Sequence, residues 1–285
     1  MKKILIFFFI VIIFIALLSF VLAIFQKGSI TMGDKVALIR IEGIILDSRK
    51  VIEEIEKYST DSSVKAVILR IDSPGGGVAA SQEIYEEIIK LKKKKTVVVS
   101  MGSVAASGGY YIASPADRIV ANAGTITGSI GVIMEIPNFE GLMEKIGVKT
   151  QVIKSGPHKD IASAFRSMSS EEKEILQELI DDVHDQFIRA VSDSRGIAYE
   201  EVKKLADGRI FTGRKAKELG LVDELGNLND TIKLAGELSG IKGKPVIVSK
   251  KEKFSFWDLL LGGNFPNKLI KDAFPTIRLK YMLAP

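Results

Sequence analysis

The chain has 285 residues, with 40 Lys and Arg against 35 Asp and Glu, for a formal net charge of +5. It holds no cysteine and two histidines, His158 and His184. Disulfides, cysteine nucleophiles and thiolate or histidine-rich metal sites are thereby excluded, and any Ser-His-Asp triad must use one of those two rings.

In chain order, the first feature is apolar. Ile4 to Phe25 is a run of 22 residues with one polar member, Ser19. About 20 apolar residues span a bilayer core. Lys2 and Lys3 precede the run, so the positive-inside tendency puts the N-terminus in the cytoplasm and the rest outside. The run is longer than the core of a cleaved signal peptide, and "LAIFQKG" offers no small-x-small site. The expectation is a single-pass anchor in the cell membrane with an extracytoplasmic domain. The expected boundaries are an anchor over 1–27 (transmembrane 4–25), a linker over 28–34, a folded domain over 35–248 and a tail over 249–285.

Strand-like and helix-like segments then alternate. Lys35–Ile41 reads as a strand, and "SRKVIEEIEKYS" as a helix with Val51, Ile52 and Ile55 on one face. Ala66–Asp72 is a strand broken by Pro74 and three glycines. Ala79–Leu91 is helical, and Thr96–Met101 is a strand of β-branched residues. Between them, "KLKKKKT" reads as a solvated helix end suited to the negative end of the helix dipole. It lacks the interleaved aromatics of a nucleic-acid patch, so no nucleic-acid partner is expected. "DRIVAN", "SIGVIME" and "VKTQVIKSG" read as short strands. Ser169 and Glu172 form a capping box opening a helix of about 25 residues, closed by Gly196. Its stripe is Ile175, Leu176, Leu179, Ile180, Val183, Phe187, Ile188 and Val191. Tyr199–Leu205 is a further helix. This alternation implies an α/β fold with a partly parallel sheet. In the tail, "FSFWDLLLGGNFP" is too short for a second span and reads as packing, subunit contact or membrane-surface contact.

Three segments can hold chemistry. "DSPGGGVAAS" (Asp72–Ser81) puts glycines after a strand and before a helix, where bare backbone can approach a ligand. It is not a P-loop, because no Gly-Lys-Ser/Thr follows. "AASGGYY" places Ser107 before two glycines at the start of a helix. Ala105 occupies the first glycine position of the hydrolase elbow, so that pattern is not matched. If Ser107 is a nucleophile, the Gly108 N–H is placed to stabilise an oxyanion, with a second donor from Gly75 or Gly76. "KSGPHKDIASAFR" (Lys154–Arg166) offers the base a serine needs: His158 or Lys159. Residue type favours the histidine, whose titration already suits the task. A lysine must fall from about 10.4 towards 7–8, through burial away from carboxylates.

Five stretches carry a resemblance: "RIDSPGGGV" (Arg70–Val78), "MGSVAASGGYYIA" (Met101–Ala113), "NAGTITGSIGVI" (Asn122–Ile133), "KSGPHKDI" (Lys154–Ile161) and "GRIFTGRKAKELGLVDELG" (Gly208–Gly226). Together they resemble the signal peptide peptidase A family in its short, single-domain form, a branch of peptidase family S49. The resemblance covers roughly 35–240. It implies a Clp-protease/crotonase-like fold of repeated β-β-α turns with flanking helices. It also implies a membrane-anchored serine endopeptidase with a Ser/Lys dyad. On this resemblance Ser107 is the nucleophile and Lys159, not His158, the general base. Ser129 supports the lysine amine, and Gly108 with Gly76 or Gly75 forms the oxyanion hole. No metal or nucleotide cofactor is implied. The implied partners are cleaved signal peptides and similar apolar peptides, together with further copies of the chain in a ring whose dyads are shared between neighbours. The competing functions are a stomatin-type membrane protein protease, a crotonase-like acyl-CoA enzyme and a non-catalytic membrane scaffold.

Overall fold

The computed structural model describes Phe7, residues 11–14, Leu17, residues 33–250 and residues 280–282. Two compact units divide between Asp34 and Lys35. In the first, the described residues up to Leu17 are helical. Most of the Ile4–Phe25 run and all of "FSFWDLLLGGNFP" lie outside the described residues. Among the described residues, no helix is long and apolar enough to cross a membrane.

The second unit is built on an eight-stranded sheet. Its central strands are β1 (Lys35–Glu42), β2 (Val64–Ser73) and β4 (Thr96–Ala106), parallel neighbours in the order β4-β2-β1. Their sequences, KVALIRIE, VKAVILRIDS and TVVVSMGSVAA, are nearly continuous apolar, β-branched runs. Parallel strands covered on both faces require this. Strand alternation divides the side chains between two cores. On one face Val36, Leu38, Ala66, Ile68 and Val98 meet a C-terminal helix, α8 (Leu228–Leu238). On the other, Ile39, Leu69, Ile71, Val99 and Met101 pack in a larger core. That core also holds residues of helices α1 (Arg49–Thr60), α2 (Val78–Lys92), α3 (Gly108–Ala113) and α5 (Ser170–Arg195). Each fully buried Ile or Leu contributes about 1.5–3 kcal/mol.

β4 forks the sheet. Its first half pairs with β5 (Arg118–Ala121), which continues to β8 (Glu224–Leu225). Its second half pairs with β6 (Ile126–Gly128), which is followed by antiparallel β7 (Ile210–Thr212). β9 (Val246–Ser249) closes the far side against β1. β3 (Gly75–Gly77) stands apart, paired with β10 (Lys280–Met282). This mixed, largely parallel α/β architecture is consistent with the Clp-protease/crotonase-like class. The remaining helices are α4 (Glu140–Lys145), α6 (Tyr199–Leu205) and α7 (Gly213–Glu218).

Two sequence expectations are corrected. "SIGVIME" is not a regular strand; the strand is β6, immediately before it. "VKTQVIKSG" has no strand either, although its alternation suits one. A strand needs a partner edge, and among the described residues this segment has none: Val148, Val152 and Ile153 are exposed. The capping box stands as read, with Glu172 N–H donating to Ser169 Oγ and Ser169 N–H to the Glu172 carboxylate. α5 runs 26 residues to Gly196 in the left-handed region at φ 64°. Only the C-terminal half of its stripe is buried; Ile175 and Leu179 are exposed. In the lysine run, Lys92 donates to the Pro115 carbonyl, and Lys95 to the Asp61 and Val64 carbonyls, so part of it ties loops together.

Candidate active site

β2 and β4 run parallel, so their C-terminal ends emerge at the same sheet edge, where open α/β sheets bind ligands. β4 extends beyond Met101 to Ala106 and delivers Ser107 there, at the entrance to α3. Ser107 has φ 53° and ψ −118°, a backbone conformation that costs a non-glycine residue about 1–3 kcal/mol. This is a sharp, strained strand-to-helix turn of the kind that presents a nucleophile, formed here without the leading glycine of the elbow pattern. Ser107 is buried, and its Oγ has no hydrogen-bond partner among the described residues.

Neighbouring backbone fixes the turn. The Ser107 N–H donates to the Gly128 carbonyl (2.8 Å), and the Ser129 N–H to the Arg209 carbonyl (2.8 Å). The pairing of Ala106 with Gly128 carries Ser129 alongside Ser107. Ser129 is also buried and also left-handed, at φ 51°. Where the β2–β4 register shifts between Ile71 and Ser73, the Asp72 carboxylate accepts from the Val104 N–H at 3.0 Å.

The glycine strand lies beside this turn. Gly75 adopts φ +102°. One edge of β3 is held by Ile45, whose N–H donates to the Gly75 carbonyl (2.9 Å) and whose carbonyl accepts from the Gly77 N–H (2.8 Å). A Cβ on Gly76 would overlap the Ile45 carbonyl, which is backbone and cannot swing aside. Gly76→Ala is therefore expected to displace β3 and lower peptide hydrolysis at least tenfold. Parallel assays and thermal melts would check this; a variant with full activity would show that β3 does not shape the site.

The other edge of β3 carries an antiparallel strand: Lys280, Tyr281 and Met282 opposite Gly77, Gly76 and Gly75. The Tyr281 carbonyl oxygen abuts Gly75. A Cβ built on Gly108 would sit 3.1 Å from that oxygen and 3.2 Å from the Gly76 nitrogen. The backbone of Gly75, Gly76 and Gly108 thus gathers around one peptide carbonyl of an extended segment. The sequence reading put bare glycine backbone here for a ligand to approach; it did not assign the place of residues 280–282. A three-residue strand carries no periodicity to reveal it.

Lys159 is exposed and makes no hydrogen bond to Ser107 Oγ. His158 lies 3.6 Å from Glu171 and makes no hydrogen bond to Ser107 Oγ either. The segment carrying Lys159 is clasped to α5. Asp160 pairs with Lys154 (2.5 Å) and with Arg166 (2.9 Å), and Arg166 pairs in turn with Glu172, whose carboxylate is buried in the capping box. The Arg166 guanidinium, with Lys154 behind it, holds the Asp160 carboxyl far below the ordinary carboxylate range. It is also the first cause holding Glu172 down to about 2, ahead of the Ser169 N–H. A depressed carboxyl contributes its stability fully above the ordinary value near 4.5 and loses it as the pH falls towards 2. Wild-type protein is therefore expected to melt above Glu172→Gln at pH 7, with the gap closing between pH 4.5 and 2. Melting curves across that window check it; a gap that persists at pH 2 would contradict the clasp.

Among the described residues, no group of three or more His, Asp or Glu side chains is arranged to hold a metal ion.

The comparisons with known proteins agree with this architecture. The model of peptidase family S49 matches residues 89–242, over half the chain, and that of Clp protease matches residues 37–126. A Synechocystis sp. protein with a provisional protease name is 50% identical over 208 residues, 73% of this chain and 75% of its own. An Enterococcus faecium protein provisionally named signal peptide peptidase SppA is 36% identical over 242 residues, 80% of this chain and 70% of its own. Protease 4 of Haemophilus influenzae is 40% identical over 215 residues, 72% of this chain but 35% of that longer one. A mixed parallel sheet, a glycine strand paired with an extended segment and these matches lead to one conclusion: the chain belongs to peptidase family S49, the signal peptide peptidase A family.

Proposed function

We propose that the protein is a membrane-anchored serine endopeptidase in which Ser107 and Lys159 form the dyad, acting on cleaved signal peptides and similar short apolar peptides. The observation that carries the reading is the strained turn at Ser107. Among the described residues its Oγ has no hydrogen-bond partner, and the backbone of Gly75, Gly76 and Gly108 gathers around the carbonyl of a strand-like segment. An antiparallel peptide strand at this edge favours a peptide substrate over an acyl-CoA thioester. The apolar Ile4–Phe25 run and the signal-peptide name of the Enterococcus relative support the anchor and the substrate.

The base comes from a neighbouring copy. Lys159 lies on the stretch from Phe139 to Phe165, where Leu142, Ile146, Val148, Val152 and Ile153 are exposed, as are Ile175 and Leu179 on α5. Apolar surface gathered in this way marks a contact between subunits. Covering it desolvates the Lys159 amine and favours its neutral form. In a closed ring every Ser107 then meets a lysine from the next chain.

The steps follow. The neutral Lys159 Nζ takes the Ser107 Oγ proton as Oγ bonds to the substrate carbonyl carbon. The oxyanion rests on the Gly108 and Gly76 N–H groups, a contribution of about 3 kcal/mol per donor. The C–N bond breaks, and the protonated lysine hands its proton to the leaving amine. A water then attacks the acyl-enzyme with Lys159 again as base, releasing the acid and restoring Ser107. Ser129, beside Ser107, hydrogen-bonds the arriving amine. Treatment of the folded protein with a fluorophosphonate tests the nucleophile. The adduct is expected on Ser107 by peptide mass mapping; an unlabelled Ser107 would overturn the reading.

A further inference from the structure

The lysine run at the end of α2 lies in a part of the fold that the protease reading does not use. β2 and β4 run parallel, so the edge where they begin is opposite the edge that carries Ser107, about 30 Å away along β4. A depression of about 630 Å³ opens at that starting edge. Lys65 reaches it from the start of β2, and Lys92 from the end of α2. Lys94 and Lys95 reach it from the turn into β4, and Asp117 and Arg118 from the entry to β5. Five cations thus share one hollow with one carboxylate.

That carboxylate is already engaged: Asp117 accepts from the Val97 N–H at 2.8 Å and pairs with Lys92 at 3.5 Å. The C-terminal ends of α2 and α8 also border the hollow, and each supplies about half a negative charge. About three positive charges then stay unbalanced. Helix ends account for lysines in a last turn; they do not account for Lys65 and Arg118, which strands bring to the same place. The like charges also act on each other. Burial lowers the pKa of Lys95, and Lys65 adds to that against the opposing pull of Asp61. The cations are nevertheless held in place. Lys95 donates to the Asp61 and Val64 carbonyls, both at 2.6 Å, Lys92 to the Pro115 carbonyl at 2.9 Å, and Arg118 to the Asp117 carbonyl at 3.0 Å. An ammonium has three N–H groups and a guanidinium five, so these bonds leave donors for a ligand.

We propose that this hollow is an anion site for a phosphate group of two or three negative charges, a phosphomonoester or a pyrophosphate, remote from Ser107. Such a group matches the unbalanced charge, and its oxygens spread to several separate ammonium donors, which take phosphate as point charges. A single carboxylate offsets only part of the excess. The same chemistry is carried by a lipid headgroup and by the free anion, and the test tells these sources apart. The inference goes beyond the protease reading and does not depend on it.

Full-length protein in neutral detergent micelles is titrated with sodium pyrophosphate and, separately, with short-chain phosphatidic acid or phosphatidylcholine. Binding is read by calorimetry and by the melting temperature. Expected are one pyrophosphate per chain, a raised melting temperature, and several-fold weaker binding at about 300 mM salt than at about 50 mM. Lys65→Gln/Arg118→Gln is expected to lose at least about tenfold in affinity, and Lys94→Gln alone about threefold. Lys203→Gln/Lys204→Gln removes as much charge from α6, outside the hollow, and is expected to bind as wild type does. Melting curves without ligand show which variants are folded; Lys94→Gln, at an exposed position, carries the test if the double variant is not. Phosphatidic acid binding at least about tenfold more tightly than pyrophosphate, with phosphatidylcholine silent, upholds the site and names a lipid headgroup as its source. Equal or weaker binding of phosphatidic acid upholds it and names the free anion. Affinity undiminished in the hollow variants, an equal loss in the α6 variant, or no binding at millimolar pyrophosphate overturns the site.

Discussion

Ser107→Ala is expected to lower peptide hydrolysis by about 10⁴-fold or more, with the fold intact, because the only atom removed is the attacking oxygen. That oxygen makes no hydrogen bond among the described residues, so its loss leaves no stranded partner there. The turn itself supplies a second, independent readout. At φ 53° and ψ −118°, alanine carries the same backbone strain as serine, whereas glycine adopts this conformation freely. Relief of about 1–3 kcal/mol outweighs the extra chain entropy of glycine, about 0.5–1 kcal/mol. Ser107→Gly is thus expected to be equally inactive and to melt above Ser107→Ala. Paired assays and thermal unfolding decide the matter. A Ser107→Ala protein that still cleaves, or a glycine variant that melts no higher, would remove the strained-nucleophile account.

Lys159→Ala is expected to cost about 10²–10⁴-fold in kcat, the range lost with a general base. Lys159→Arg is expected to be no better, since a guanidinium does not give up its proton in a protein. His158→Ala should leave activity near wild type, because the proposed dyad uses the Lys159 amine and the His158 ring is turned to the Glu171 carboxylate at 3.6 Å. Steady-state rates for the three variants distinguish a lysine base from a histidine base. Loss of activity in His158→Ala with retention in Lys159→Ala would install the triad instead.

How much of this was legible in the sequence follows from the range of the forces involved. The central strands were readable because continuous β-branched runs such as TVVVS suit only a sheet covered on both faces. The start of α5 was readable because a capping box is a local hydrogen-bond pattern. Ser107 stood out through its glycine neighbours, yet the elbow motif failed at Ala105. The backbone reaches the strained turn through bonds to Gly128, which lies on a different strand. "VKTQVIKSG" misled for the opposite reason: alternation reports a face to be buried but not the chain that buries it, and this segment has no partner edge among the described residues. The Asp160–Arg166–Glu172 clasp and the buried aromatic cluster join residues at no helical or strand period. Tyr85, Tyr111, Phe187 and Tyr281 meet only after three helices have packed.

The claim on which the mechanism turns is that Ser107 of one chain is served by Lys159 of the next. Coexpression of Ser107→Ala and Lys159→Ala chains tests it most directly. Each is inactive alone, but mixed assemblies place an intact Ser107 against an intact Lys159 at about a quarter of their sites when neighbours pair at random. The account predicts recovery of peptide hydrolysis on that scale, together with fluorophosphonate labelling confined to the Lys159→Ala chains. Mixed assemblies, verified by differential tags, that remain as inactive as their parents would contradict it.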